Sequence, residues 1–157
     1  MLIATRSGKI NISKEKDTKL VAERLSKLIN LGDFILLNGN LGVGKTTFTK
    51  YIINSLQRIN RQQISEVPSP TFNITNEYQI KKILIKHYDL YRIKNEKELN
   101  NLGIQENLKK QITLIEWPEI VKKLKIDNGL NLPELRIFLS LFQKNFEFSF
   151  LLKFSFS

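Results

Sequence analysis

One eight-residue segment constrains this chain more than any other. Residues 39–46 read Gly-Asn-Leu-Gly-Val-Gly-Lys-Thr, which matches the phosphate-binding pattern G-x-x-x-x-G-K-[ST]. The unbroken apolar run at 34–37 directly before it is typical of a strand buried on both faces. After the segment, apolar residues recur at helical spacing, at Phe48, Ile52, Leu56 and Ile59. A strand, a glycine-rich loop and a helix in this order predict an α/β fold that carries a phosphate-binding loop, or P-loop.

The chemistry of the P-loop predicts a nucleotide site. Glycines let the backbone curl so that successive N–H groups hold phosphate oxygens, and the following helix adds its positive N-terminal end. Lys45 can reach the β- and γ-phosphates, and the Thr46 hydroxyl can bind Mg²⁺. The residues predicted to bind the nucleotide are Asn40, Leu41, Gly42, Val43, Gly44, Lys45, Thr46 and Thr47. The alternative interpretation is a flexible glycine turn with a surface lysine.

A P-loop enzyme also needs an acidic side chain for the metal or the attacking water. Glu116 follows the apolar run at 112–115 directly, as in a Walker-B strand, which makes it a candidate ligand of the metal or the water. Asp89 follows another predicted strand, and strand ends are where α/β folds form ligand sites. Lys45, Glu116 and Asp89 are therefore the candidate catalytic residues. The alternative for each acid is a surface residue at a strand end.

One further segment and two single residues lie near these motifs. The Ser-Pro-Thr-Phe segment at 69–72 could order around a γ-phosphate, which makes Thr71 a candidate for nucleotide contact. By itself that segment is a proline turn. His87 alone would be a packed histidine at a strand end, and Trp117 alone would be a core aromatic residue.

The first half of the chain alternates between strand and helix patterns. Ile10 and Ile12 indicate a weak strand, and Ser13 is suited to cap a helix that Gly32 would stop. A loop is predicted at 60–70 because polar residues, serines and prolines cluster there. Strands are predicted at 72–78, 83–90 and 112–115.

The C-terminal end has a different period. Every second residue is apolar from 135 to 141 and from 146 to 156, with a polar stretch at 143–145 between them. This pattern predicts an antiparallel hairpin at a sheet edge. The expected architecture is one P-loop domain over residues 1–157, with a mixed sheet flanked by helices.

Composition excludes several kinds of site. The chain has no cysteine, so disulfides, zinc–thiolate sites, iron–sulfur clusters and thiol nucleophiles are excluded. Its one histidine cannot by itself build a histidine-rich metal site. Its net charge of +10 is spread along the chain without a basic tail. This charge has two interpretations, attraction to a polyanion such as RNA or a lysine-rich surface exposed to solvent. Neither an export signal nor a run of about 18 apolar residues is visible, so a soluble cytoplasmic protein without membrane contact is expected.

Read together, five segments resemble one family. In chain order they are the P-loop at 39–47, Val-Pro-Ser-Pro-Thr-Phe at 67–72, His-Tyr-Asp-Leu-Tyr-Arg at 87–92, Leu-Gly at 102–103 and Ile-Glu-Trp-Pro-Glu at 115–119. The series closely resembles the TsaE family, small bacterial ATPases needed for threonylcarbamoyladenosine in tRNAs that read ANN codons. The resemblance runs from about Asp17 to Glu119.

The resemblance implies a P-loop domain that binds ATP and Mg²⁺, with Thr46 and Glu116 on the metal and Lys45 on the phosphates. It also implies that residues 69–72 form a switch-like loop and that Asp89 is the family's acidic residue at a strand end. Family members act with a TsaD-type threonylcarbamoyl transferase and its TsaB-type companion, whose complex the ATPase resets between turnovers. Any contact with tRNA would be indirect. Alone, such proteins hydrolyse ATP weakly.

Two features depart from the family pattern. Family members usually carry an arginine near the nucleotide in the last hairpin, whereas the basic residues after Phe142 are Lys144 and Lys153. The phenylalanine-rich end at 146–157 is also unusual.

Three other functions are alternatives to the ATPase. A small-molecule P-loop kinase is the main alternative, and it would need an acceptor pocket and usually an arginine-bearing lid. Of the six arginines, only Arg58 and Arg61 stand close in sequence. A GTPase would need an Asn-Lys-x-Asp motif, which is absent, and no RNA-binding fingerprint supports a non-enzymatic RNA-binding module.

Overall fold

The apolar runs of the sequence form the centre of a mixed sheet. The computed structural model describes residues 2–12, 14–121, 137–142 and 147–156, and these include seven strands of one sheet. The strands are β1 (Leu2–Asn11), β2 (Phe34–Gly39), β3 (Thr75–Ile80), β4 (Ile83–Asp89), β5 (Gln111–Glu116), β6 (Ile137–Phe142) and β7 (Glu147–Phe156). The helices are α1 (Glu15–Ser26), α2 (Lys45–Ile59) and α3 (Glu96–Asn101), with a 3-10 turn at Leu108–Lys110. The mixed α/β class predicted from the sequence is confirmed.

The strand order is β1-β7-β6-β2-β5-β4-β3. The four middle strands β6, β2, β5 and β4 run parallel, and antiparallel strands flank them on both sides. Since β2, β5 and β4 are parallel neighbours, their carboxyl ends lie at the same edge of the sheet. Gly39, Glu116 and Asp89 are the last residues of these three strands.

Apolar side chains cover both faces of the sheet. Ile35, Leu37 and Leu114 pack with residues of α1 and α2 on one face. Phe34 and Leu36 pack on the other face with Leu99 of α3. Burial on both faces explains why these strands read as continuous apolar runs.

The C-terminal hairpin is antiparallel as predicted, but it does not form the sheet edge. Its first strand, β6, lies beside β2, and its second strand, β7, pairs with β1 from Leu2↔Phe156 to Asn11↔Glu147. The predicted edge position is therefore wrong, because β1 lies outside the hairpin. The turn predicted at 143–145 lies outside the described residues.

Two predicted boundaries are wrong. Helix α1 ends at Ser26, and Leu28 and Ile29 lie beyond it, so Gly32 does not stop the helix. The proposed cap Ser13 lies outside the described residues, and Lys14 is the N-cap. Strand β3 begins at Thr75, not at 72, because residues 71–73 form a turn.

None of the helices in the described segments is both long and apolar enough to cross a membrane.

Gly32 sits in the connection between α1 and β2 with φ +89°, and its N–H donates to the carbonyl of Gln111 at 2.8 Å. A Cβ there would meet no atom closer than 3.6 Å, so backbone strain is the main cost of a side chain. We expect Gly32→Ala to lower the free energy of unfolding by about 1–2 kcal/mol. Thermal denaturation should show a Tm lower by about 2–8 °C. Lys27→Ala, at an exposed position of the same connection, is the control, and an unchanged Tm for Gly32→Ala would contradict the strain argument.

Candidate functional site

The P-loop joins β2 to α2 at the carboxyl edge of the parallel strands. Gly44 is the N-cap of α2 and has φ +96°, a left-handed conformation that glycine adopts without strain. No side chain caps this helix. The N-terminal N–H groups of a helix attract anions, and those of α2 lie at the loop, in the strand–loop–helix order that the sequence predicted.

Lys45, the first residue of α2, is buried under the P-loop. Its Nζ donates to the carbonyl oxygens of Gly39 at 2.7 Å and Asn40 at 2.9 Å. The ammonium group also lies 3.6 Å from the centroid of the Trp117 ring, a cation–π contact. Burial lowers the pKa of Lys45, and the negative charges of Glu116 and Asp89 oppose that shift. The lysine is thus held at the site by neutral oxygens and an aromatic face.

Glu116, the last residue of β5, is 2% exposed and uses its two carboxylate oxygens differently. Its Oε1 lies 2.8 Å from Nε2 of His87, and its Oε2 accepts the hydroxyl of Thr46 at 3.1 Å. Thr46 and Glu116 are 70 residues apart in the chain. The fold therefore brings together the two residues that the sequence predicted as metal ligands.

Asp89, the last residue of β4, holds the 69–72 loop. Its Oδ2 accepts the hydroxyls of Thr71 at 3.0 Å and Ser69 at 3.4 Å. Its Oδ1 accepts the backbone N–H of Tyr91 at 3.1 Å. The guanidinium of Arg92 donates to the carbonyl oxygens of Thr71 and Phe72 on the same loop. The carboxylate and the guanidinium thus fix a loop that the sequence alone identified as a proline turn.

These groups surround a pocket of about 240 Å³. Its lining residues are Leu41, Gly42, Gly44, Lys45, Thr46, Thr47, Ser69, Thr71, Asp89, Glu116 and Trp117. Nine of the predicted site residues are among them. The other two are Asn40, whose carbonyl accepts from Lys45, and Val43, which packs against the hydrophobic core.

The oxygen-bearing side chains suit Mg²⁺, which prefers hard oxygen ligands. They are the Thr46 hydroxyl and the carboxylates of Glu116 and Asp89. Across the described part of the chain, no three acidic, histidine or cysteine side chains form a self-contained metal site. Mg²⁺ commonly binds through one or two protein ligands together with water and substrate phosphates, so this limited set fits the ion.

Sequence reasoning missed the site contacts of His87 and Trp117. His87 is fully buried two residues before Asp89, and residues two apart on a strand point to the same face. That spacing was the available signal for His87. Trp117 directly follows Glu116 with φ +58°, and its ring contacts both Lys45 and the Tyr91 ring, whose centroid is 4.8 Å away. Nothing in the sequence predicted the contact between Trp117 and Lys45.

Comparison with known proteins places these residues in a family context. Residues 12–144 match the family model described as "Threonylcarbamoyl adenosine biosynthesis protein TsaE". A protein of Rickettsia felis named tRNA threonylcarbamoyladenosine biosynthesis protein TsaE is 41% identical over 72% of this chain and 64% of its own length. A protein of the same name from Aquifex aeolicus is 36% identical over 69% of this chain and 74% of its own length. The match therefore spans less than two thirds of the Rickettsia felis relative.

A solved structure supports the fold independently. The crystal structure of YdiB from Bacillus subtilis superimposes with a TM-score of 0.66, covering 98% of this chain and 87% of the other, at 22% sequence identity. At that level of identity the likeness concerns the fold alone. It agrees with a mixed sheet flanked by helices and with a P-loop after a central parallel strand.

Proposed function

Because the chain belongs to the TsaE family, we propose that it is a Mg²⁺-dependent ATP hydrolase serving threonylcarbamoyladenosine modification of tRNAs that read ANN codons. In this proposal the protein binds ATP and resets a TsaD-type transferase and its TsaB-type companion between turnovers. The protein contacts the tRNA indirectly, through that complex.

The observation that carries the proposal is the hydrogen bond between Thr46 and Glu116 at the pocket. The Thr46 hydroxyl donates its hydrogen to the carboxylate, so its oxygen lone pairs remain available to a cation. Mg²⁺, when bound, would neutralise charge on the terminal phosphates of ATP. Thr46 and Glu116 would hold the ion, and the N–H groups of the P-loop would bind the phosphate oxygens.

Lys45 supplies the positive charge that the phosphates need. Its present partners are two carbonyl oxygens and an aromatic ring, which are weaker acceptors for an ammonium group than a phosphate. A nucleotide phosphate can therefore replace them. The pocket excludes much of the solvent around Lys45, so this electrostatic contact is stronger than it would be in bulk water.

Slow hydrolysis by the isolated protein follows from two features of the pocket. Asp89 already accepts hydrogen bonds from the 69–72 loop and from Tyr91, so it is engaged in holding that loop. Among the described residues, no arginine lines the pocket, and Arg92 is occupied by loop carbonyls. An arginine supplied by a partner accelerates P-loop hydrolysis by about 10³–10⁵ in other systems. We therefore propose that the partner complex completes or orders the site.

The kinase alternative gains no support from the pocket. A lid that screens phosphoryl transfer from water would bring arginines to the nucleotide, and none lines the pocket in the described segments.

A multi-turnover tRNA modification assay tests the proposed function. The components are this protein, a TsaD-type and TsaB-type pair, ATP, Mg²⁺, the threonylcarbamoyl donor and an ANN-decoding tRNA. We expect repeated transfer only when this protein and ATP are both present, and ATP hydrolysis that rises when the pair is added. Undiminished turnover without this protein would refute the tRNA role, and phosphorylated small acceptors from ATP would indicate the kinase.

A further inference from the structure

The carboxylate of Glu116 is fixed from two sides. One oxygen lies 2.8 Å from Nε2 of His87 in the interior, and the other accepts the hydroxyl of Thr46 at the pocket. Each contact uses a different oxygen, so together they set both the position and the plane of the carboxyl group. The oxygen that lines the site is the one bonded to Thr46.

The fold explains why His87 reaches Glu116. Strands β4 and β5 are parallel neighbours in which Asp89 pairs with Glu116 and His87 pairs with Leu114. His87 and Asp89 therefore point to the same face of β4, with His87 deeper in the sheet. The side chains of His87 and Glu116 are 0% and 3% exposed, so water does not compete for their contact. A carboxylate oxygen only accepts hydrogen bonds, so in this contact Nε2 is the donor.

Loss of the imidazole would leave Glu116 with a buried oxygen that lacks a donor. The charge of Glu116 already acts on Lys45 across the pocket, since it favours the protonated lysine. A carboxylate freed from His87 would be drawn toward that ammonium and away from Thr46. Such a movement would separate the two candidate metal ligands without changing the P-loop itself.

We propose that His87 is a positioning residue that holds Glu116 in the orientation required to share a Mg²⁺ ion with Thr46. His87 does not line the pocket, and it acts through Glu116. This role rests on the proposed ATPase function and assigns to the His-Tyr-Asp segment a task beyond the placement of Asp89. Replacement of such outer partners of metal ligands typically costs about 10–100-fold in activity or metal affinity.

The test compares ATP hydrolysis as a function of Mg²⁺ concentration in wild type, His87→Leu, His87→Gln and His87→Asn. We expect His87→Leu to lower kcat by about 10–100-fold or to raise the half-saturating Mg²⁺ concentration by a similar factor. Binding of ATP without Mg²⁺ should stay within about threefold of wild type, because the P-loop and Lys45 are unaltered. The Gln amide nitrogen can take the place of Nε2 and should restore most of the loss, whereas the shorter Asn should not.

A double-mutant cycle tests whether His87 acts through Glu116. If His87 acts through Glu116, adding His87→Leu to Glu116→Gln should reduce hydrolysis no further. Tyr88→Phe is the matched control, because Tyr88 is a fully buried neighbour whose hydroxyl lacks a partner among the described residues. Each variant is checked by thermal denaturation. If His87→Leu does not fold, the comparison of His87→Gln with His87→Asn tests the positioning role.

The outcomes separate this inference from the proposed function. Wild-type kcat and Mg²⁺ dependence in a folded His87→Leu protein would overturn the positioning role and leave the ATPase intact. Equal activity of the Gln and Asn variants would also overturn it, since only one of them places a donor at the carboxylate. Absence of ATP hydrolysis in wild type, with and without the partner pair, would overturn the proposed function and with it this inference.

Discussion

Glu116→Gln is expected to lower ATP hydrolysis by about a hundredfold or more while ATP affinity changes by less than about threefold. The substitution keeps the size of the side chain and its place at the end of β5. It removes the negative charge that the metal or the attacking water would use, and that charge matters more in the transition state than in nucleotide binding. Single-turnover hydrolysis and a titration of ATP binding measure the two quantities separately.

A matched control separates direct contact by the Glu116 carboxylate from the long-range effect of a nearby negative charge. Glu119 is an exposed acid three residues further along the chain, and its charge also favours the protonated form of Lys45. Glu119→Gln should therefore leave hydrolysis near the wild-type rate if direct contact at Glu116 is what counts. Equal hydrolysis by Glu116→Gln and wild type would transfer the role to Asp89, and Asp89→Asn would then be the variant to measure.

The places of the candidate site residues could be predicted from sequence because they depend on local patterns. Gly44, Lys45 and Thr46 belong to one contiguous motif, and their places follow from the strand before it and the helix after it. Glu116 was predictable because the mostly apolar run Ile-Thr-Leu-Ile precedes it and a buried strand carries such a run to the edge of the sheet. Both signals lie within about ten residues of the side chain concerned.

Pairing between distant strands could not be predicted in the same way. The alternation in the C-terminal segments shows that two strands form a hairpin, but it does not say which strands lie on either side. The insertion of β6 beside β2 and the addition of β1 outside β7 depend on contacts across more than a hundred residues. The contact between His87 and Glu116 likewise depends on the parallel register of β4 and β5.

Two errors in the predicted secondary structure have local physical causes. Phe72 is apolar and close to a strand, yet it is 87% exposed, because the N–H of Ile74 donates to the carbonyl of Pro70 and closes a turn there. Helix α3 was not predicted, since only Leu99 of its six residues is buried. Its signal was Asn95, a favourable N-cap residue, whose side chain accepts from the backbone N–H of Glu98.

The second large effect is expected at Lys45. Lys45→Ala should weaken ATP binding by about 10–100-fold, because a charge-assisted hydrogen bond is worth about 1.5–3 kcal/mol and 1.4 kcal/mol corresponds to a factor of ten. The same variant should fail to support repeated tRNA modification in the three-protein assay. Calorimetric titration of the purified variant with ATP and Mg²⁺ measures the affinity directly.

The structure complicates this experiment and also supplies its controls. Lys45 bonds the carbonyls of Gly39 and Asn40, so its removal also takes a structural contact from the P-loop. Lys50→Ala removes an exposed lysine from the same helix and should bind ATP as wild type does. Trp117 is the only tryptophan and packs on Lys45, so its fluorescence reports whether the loop keeps its shape. Unchanged ATP affinity in a folded Lys45→Ala protein would show that the lysine contributes no phosphate contact. A loss of ATP affinity in Lys45→Ala but not in Lys50→Ala would assign that contact to the Lys45 ammonium group.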